Sequence, residues 1–278
     1  NGRLVSGAQR VAGRIALDAG VRGTVERPLI EGAATISNGS FVDPLQGMTF
    51  TNVTGRIAGA GTALRIETIT AATPGGGTIA VTGTVQADAA QGFPAHLRLT
   101  GENAQLIDND VVDVVAGLEL AISGPLASAP VISGLVNVVS FDVTIPDRLA
   151  ADSAPLANAK HLSPPEQTRE RLRAAAREGE RKARRKAGPA GNARLDVRIK
   201  APSHIFVRGR GIDAELGGDI ALSGPLMAPR ATGAFELRRG QISMLTQRLE
   251  FSRGRLTFLG DLVPDLDFVA ATSAGGVT

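Results

Sequence analysis

The stretch Gly124-Pro-Leu-Ala-Ser-Ala-Pro130-Val-Ile-Ser-Gly134 decides the fold class, because related stretches stand roughly one hundred residues away on either side. They are Gly23-Thr-Val-Glu-Arg-Pro28-Leu-Ile-Glu-Gly32 and Gly224-Pro-Leu-Met-Ala-Pro229-Arg-Ala-Thr-Gly233. In each, a glycine leads by five or six residues to a proline, and the proline leads by four to another glycine. Proline cannot donate to a sheet ladder and belongs in a turn or at a strand edge, whereas glycine admits turns and bulges. The repeat therefore predicts a strand–turn–strand unit, reused along a long β structure.

Segments of alternating apolar and polar residues flank these phrases, such as Leu64-Arg-Ile66-Glu, Leu195-Asp-Val197-Arg-Ile199-Lys and Leu256-Thr-Phe258. Side chains alternate across a strand, so each segment has one apolar and one polar face, as in antiparallel sheets with one wet side. The β regions contain no amphipathic helix that could cover the apolar face. The sheet must therefore close on itself as a sandwich or barrel, or curve into a trough, and the pattern alone leaves both open.

Composition restricts the possible functions. The chain has 278 residues, 43% of them hydrophobic, with nine Phe but no Trp, Tyr or Cys. The lack of cysteine excludes disulfides and thiolate metal sites. The sequence has no run of 18 apolar residues, so it predicts no helix that spans a membrane. The chain begins at Asn1 without Met and stops at Thr278 within a plausible sheet, so we expect it to be a piece of a longer protein.

Residues 150–190 differ from the rest. Ten Lys or Arg and four Glu lie between Lys160 and Lys186, an excess of +6 in a chain of net charge +3, so the remainder sums to −3. Ser163-Pro-Pro-Glu166 has the N-cap, first-turn prolines and capping-box Glu of a helix start, and Gly188-Pro189 ends the segment. We predict one inserted polar helix, interpreted as an exposed insert or as an arm that contacts anionic lipid or another protein.

The predicted organisation follows from this insert. Residues 1–150 form a first β segment, residues 151–192 form the basic helical or mobile insert, and residues 193–278 continue the same sheet.

Polar residues give little support for catalysis. His96, His161 and His204 are scattered, and none has a second ligand at metal spacing. Asp108-Asn-Asp110 lacks the glycine and distal Glu of a calcium loop, and Asp265-Leu-Asp267 fits the polar side of a strand. We expect no enzyme, no catalytic residue, no metal and no cofactor. Without Tyr or Trp there is no stacking platform, so we also expect no nucleic-acid partner.

The C-terminal region carries a specific resemblance. It contains Gly233-Ala-Phe-Glu-Leu-Arg-Arg-Gly240-Gln-Ile, Leu249-Glu-Phe-Ser-Arg-Gly254-Arg-Leu-Thr-Phe258-Leu-Gly260 and Pro264-Asp-Leu-Asp-Phe268. These strands and glycine turns resemble the C-terminal periplasmic region of the TamB family, within the AsmA-like, bridge-like lipid transfer proteins. The resemblance covers residues 190–278 and 1–150 and is absent from the insert.

The resemblance implies a fold, a location and two roles. It implies a sheet curled into an open trough with a hydrophobic interior (a β-taco), which favours the trough over the sandwich. It implies a periplasmic protein whose missing N-terminus is anchored in the inner membrane. The two roles are phospholipid movement between the membranes and assistance to an outer-membrane Omp85-type partner, TamA, in inserting barrel proteins.

We interpret the chain as a conduit in which phospholipid acyl chains lie along the apolar groove. The residues predicted to line it share an alternation phase within each strand and are Leu64, Ile66, Ile79, Val81, Val85, Leu97, Leu99, Leu195, Val197, Ile199, Leu216, Ile220, Leu222, Leu256, Phe258, Leu266 and Phe268. The alternatives are a scaffold that pairs a sheet edge with nascent barrel strands, and a purely structural spacer.

Overall fold

The chain forms one open sheet of fourteen strands. The computed structural model describes residues 4–6, 9–24, 28–146, 192–244 and 247–271. Within them, the order of strands in the sheet is their order along the chain, and no pairing joins the first strand to the last. The strands are β1 (Leu4–Ser6), β2 (Gln9–Gly23), β3 (Pro28–Asp43), β4 (Met48–Gly61), β5 (Ala63–Ala72), β6 (Thr78–Gln86), β7 (Pro94–Asp108), β8 (Val112–Pro125), β9 (Val131–Thr144), β10 (Arg194–Gly209), β11 (Ile212–Pro225), β12 (Arg230–Met244), β13 (Gln247–Leu259) and β14 (Asp265–Ala271).

One pair of neighbours is parallel in this otherwise antiparallel sheet. Strands β9 and β10 run in the same direction, with Val131 opposite Arg194 and Thr144 opposite Arg208. Parallel neighbours need a long crossover, since the chain must return to the other end of the sheet. The residues of the predicted insert lie in this connection. The helix predicted there lies outside the described residues.

The repeated phrases occupy equivalent turns. In the central copy, Gly124 has a φ of +94° at the end of β8, and β9 begins directly after Pro130. The other leading glycines have the same left-handed backbone, and the other prolines likewise stand at or just before a strand start (Gly23, Gly224, Pro28 and Pro229). The predicted strand–turn–strand unit is therefore confirmed, and proline occupies the place where no ladder donor is needed.

The last glycine of each phrase meets the backbone of the preceding strand. Gly134 has a φ of +135°, and a Cβ there would lie 2.1 Å from the carbonyl oxygen of Glu119 on β8. The equivalent positions are alike, with hypothetical Cβ distances of 2.2 and 2.4 Å to the oxygens of Asp18 and Asp219 (Gly32 and Gly233). Only glycine fits such a backbone at such a distance.

A line of β-bulges bends the sheet. Register shifts interrupt ten of the thirteen neighbouring strand pairs in the described residues. In the centre they occupy adjacent places, at 115–116 in β8, 201–205 in β10 and 215–216 in β11. A bulge bends its strand and increases the twist, so aligned bulges bend the whole sheet. The sheet curves into an open trough with an apolar interior, as the fold prediction stated.

The turn between β3 and β4 ties the first strands together. The buried Asp43 carboxylate accepts hydrogen bonds from the amides two and three residues further on, at 3.1 and 3.2 Å, and from Gln9 Nε2 at 2.8 Å. In the same turn, the carbonyl oxygen of Gly47 accepts a hydrogen bond from the backbone amide of Asp108, on β7. Both carboxylate oxygens of Asp43 therefore accept hydrogen bonds, and Asp43 stabilises one rim of the trough.

Candidate functional site: the inner face of the trough

The seventeen residues predicted to line a groove all lie on one face of the sheet. Directly paired residues share a face, and the register can be followed from strand to strand. One such row crosses six strands and consists of Val81, Leu99, Leu120, Gly134, Val197 and Leu222. We call this side the inner face and the opposite side the outer face. The contact of these residues with lipid stays a prediction.

The inner face is apolar without interruption over its central strands. From β5 to β11, every strand-paired residue on this side is Ala, Val, Ile, Leu, Phe or Gly. Sequence reasoning missed about two thirds of these positions, including Leu118, Leu120, Ile122, Ile132 and Val136. The alternation in 118–122 was the available signal on β8, whereas residues 131–136 (Val-Ile-Ser-Gly-Leu-Val) do not alternate. The face can hold an apolar molecule but offers that molecule no fixed polar partner.

Nothing in the described residues covers this face as a second sheet would. In a sandwich the large aliphatic side chains would be fully buried, but none of the described large side chains is. Most inner-face residues are half-buried, among them Val81, Leu99 and Leu256. Five large ones are buried, namely Leu118, Val197, Ile205, Leu216 and Ile220. The alternative of a closed sandwich is therefore wrong, because the bent sheet leaves its apolar side accessible.

The outer face is charged, and its charges pair across neighbouring strands. Arg208 donates to Asp142 at 2.6 Å, and Arg253 donates to Asp267 at 3.1 Å. Arg239 donates to Glu215 at 2.7 Å, and this hydrogen bond lowers the pKa of the Glu215 carboxyl below its ordinary 4.5. Exposed pairs of this kind add little stability each, but they keep the outer side wet. The two faces thus differ sharply in polarity.

Side-chain contacts replace ladder hydrogen bonds at the bulge of β10. His204 has a φ of +68°, and its amide donates to Glu215 at 3.4 Å. The carbonyl of Pro202 accepts from Arg238 Nε at 3.2 Å. Glu215 therefore links this bulge to Arg239 on β12, and the outer face holds the bend by charge-assisted contacts.

The polar motifs serve as turns and strand surfaces. Asn109 Oδ1 accepts from the amides of Val111 and Val112 at 3.0 and 2.9 Å, so Asp108-Asn-Asp110 is a turn. Asp265 and Asp267 are exposed on β14. In the described part of the chain no group of three metal-ligating side chains comes together, and no helix has the length and apolarity to cross a membrane. The inner face is the feature that these observations leave as the candidate site.

Comparison with known proteins gives one match. A family model described as the TamB C-terminal domain matches residues 67–275, about three quarters of the chain. No curated protein and no solved structure matches the chain significantly. The matched range contains strands β6 to β14 and most of the predicted groove residues.

Proposed function

Because the chain belongs to the TamB C-terminal domain family, whose role lies in the periplasm in lipid transport or assembly, we propose that its trough conducts phospholipid between the inner and outer membranes. The observation that carries this proposal is the inner face from β5 to β11, which has only apolar and glycine residues at its paired positions and is not covered by a second layer among the described residues. Acyl chains lie along this face, and head groups stay at the open side of the trough.

The energetics favour acyl chains as the occupant. Burying a methylene contributes about 0.8 kcal/mol, so one fatty chain supplies on the order of 10 kcal/mol. Aliphatic walls suit a chain that changes conformation, because they impose no hydrogen-bond geometry. The fourteen strands, spaced about 4.8 Å apart, give a trough of roughly 60 Å, along which a lipid meets the same surface from strand to strand.

The proposed role is not enzymatic, and it needs no cofactor. The paired positions between β5 and β11 put neither a nucleophile nor a titratable group on the inner face. We also propose that the protein is anchored in the inner membrane. This part of the proposal rests on the family and concerns residues outside the described ones.

A matched pair of substitutions tests the conduit. Val81 lies on the inner face, and Thr82 points to the outer face opposite Arg98. Val81→Asp puts a charge where acyl chains lie, whereas Thr82→Asp puts the same charge on the wet side. We expect native mass spectrometry and lipid extraction to find phospholipid with wild type and Thr82→Asp but not with Val81→Asp. Circular dichroism confirms folding of each variant, and equal lipid in both would contradict the proposal.

A second candidate function is favoured by the edge strand. Strand β14 has only β13 as a neighbour in the described residues, so one of its sides is free for strand addition. A scaffold of this kind would pair with nascent barrel strands, together with a TamA-like outer-membrane protein. Ala270→Pro removes a donor from β14 and should abolish capture of an extended barrel-strand peptide while leaving bound lipid unchanged. A structural spacer would tolerate both Val81→Asp and Ala270→Pro.

A further inference from the structure

The trough is filled by its own side chains near the C-terminal end of the described sheet. Ala201, Ile205 and Leu216 form a buried cluster at the bulge line, with exposures of 0, 4 and 3%. Phe268 packs against this cluster although it lies on β14, three strands from Leu216. A side chain that reaches across three strands must lie over the inner face, in the path along the trough.

A glycine makes the slot that the Phe268 ring occupies. Gly254 lies opposite Phe268 on β13, and a Cβ there would be 2.4 Å from Phe268 Cε1 and 2.9 Å from Leu237 Cβ. The ring therefore lies over Gly254 and points towards β12. Phe251 holds it from the side, with ring centroids 5.6 Å apart at 69°, an edge-to-face contact.

The opposite end of the trough is open. On β2 the inner-face residues Ile15 and Leu17 are 71 and 72% exposed. Beside them lies an apolar cavity of about 510 Å³, lined by Val11, Ile36 and Phe41 among others. The same face is thus accessible at β2–β4, whereas aromatic rings lie on it at β12–β14, where only the edge residue Leu266 among the described large side chains of this face is mostly exposed, at 68%.

We propose that Phe268 is a gate in the trough. With its ring over Gly254, it closes the passage between β10 and β14 to acyl chains, and a passing chain must displace the ring. The ring and the acyl chain compete for the same apolar surface around Leu216. The gate rests on the proposed lipid conduit, and it makes movement along the trough, rather than entry into it, the controlled step.

Photolabelling of the full chain tests the gate. The probe is a phosphatidylcholine with a photoreactive group at the end of one acyl chain, and labelled peptides are identified by mass spectrometry. In the wild type we expect labels on β5–β8 and few on β12–β14. Phe268→Ala should raise the β12–β14 share several-fold, and Phe268→Leu, a milder change, should raise it less.

Two further variants separate the gate from a general loss of packing. Phe206→Ala removes a ring on the outer face, where Phe206 pairs with Glu215 and the Arg208 guanidinium lies 4.5 Å from its centroid, and should leave the distribution unchanged. Gly254→Ala should force the Phe268 ring out of its slot and raise the share as Phe268→Ala does. Equal labelling of all strands in the wild type, or no change with Phe268→Ala and Phe268→Leu, overturns the gate and leaves the conduit standing. No labelling of any strand overturns both.

Discussion

When Gly134 is replaced with alanine, the centre of the sheet should unfold at a much lower urea concentration. Gly134 has a φ of +135°, a region that costs other residues about 1–3 kcal/mol. Its Cβ would lie 2.1 Å from the Glu119 carbonyl oxygen, so β8 and β9 must separate, which costs about 1–3 kcal/mol as overpacking does. The sum is about 2–6 kcal/mol, a large part of the stability of an ordinary domain.

Gly117 provides a matched control on the adjacent strand. A Cβ there has its nearest neighbour at 3.7 Å, an ordinary contact, so Gly117→Ala should change the free energy of unfolding by less than about 1 kcal/mol. The assay is urea unfolding followed by circular dichroism, with amide hydrogen exchange to locate the loss in β8 and β9. Equal unfolding midpoints for the two variants would refute our account of the repeated phrase.

Three other predictions concern stability. Because the folded-state pKa of Glu215 is lowered by Arg239, its contribution is present above the ordinary pKa of 4.5 and is lost as pH falls through the folded value. Glu215→Gln should remove this part of the acid dependence of the melting temperature. Asp43→Ala leaves turn amides without an acceptor and should cost about 1–3 kcal/mol, and Asp43→Asn less, by urea unfolding. Leu216→Ala should cost about 2–5 kcal/mol because Leu216 is 3% exposed, whereas Leu266→Ala, on the same face of the edge strand at 68% exposure, should cost far less; similar losses would contradict a buried bend beside an exposed edge.

The sequence allowed prediction of the strands and of their apolar sides, because both depend on local order. Period-two alternation assigned Leu195, Val197 and Ile199 to one side, and proline and glycine marked the turns. The common face of distant strands followed only from the register. Whether the sheet closed or curved needed the family resemblance as well.

The bulge line and the aromatic slot could not be predicted. Asn38, Asn52 and Asn103 interrupt their strands with φ near +50°, yet in the sequence each is an ordinary polar residue of a strand. A bulge exists only relative to a partner strand, so its place depends on residues far away in the chain. The contact of Phe268 with the cluster around Leu216 likewise depends on Gly254 being a glycine between them.

Because β9 and β10 are parallel, the connection between them can change in length without changing the shape of the trough. A crossover along β10, which has sixteen residues, must span about 50 Å and so needs roughly fifteen extended residues. Residues beyond that minimum add only loop-closure entropy, about 0.6 kcal/mol for each doubling. Every antiparallel turn, by contrast, joins strand ends that are already adjacent. The connection between Pro146 and Asn192 is therefore the position at which this chain can gain or lose sequence, or receive a foreign domain, while the rows of the inner face keep their register.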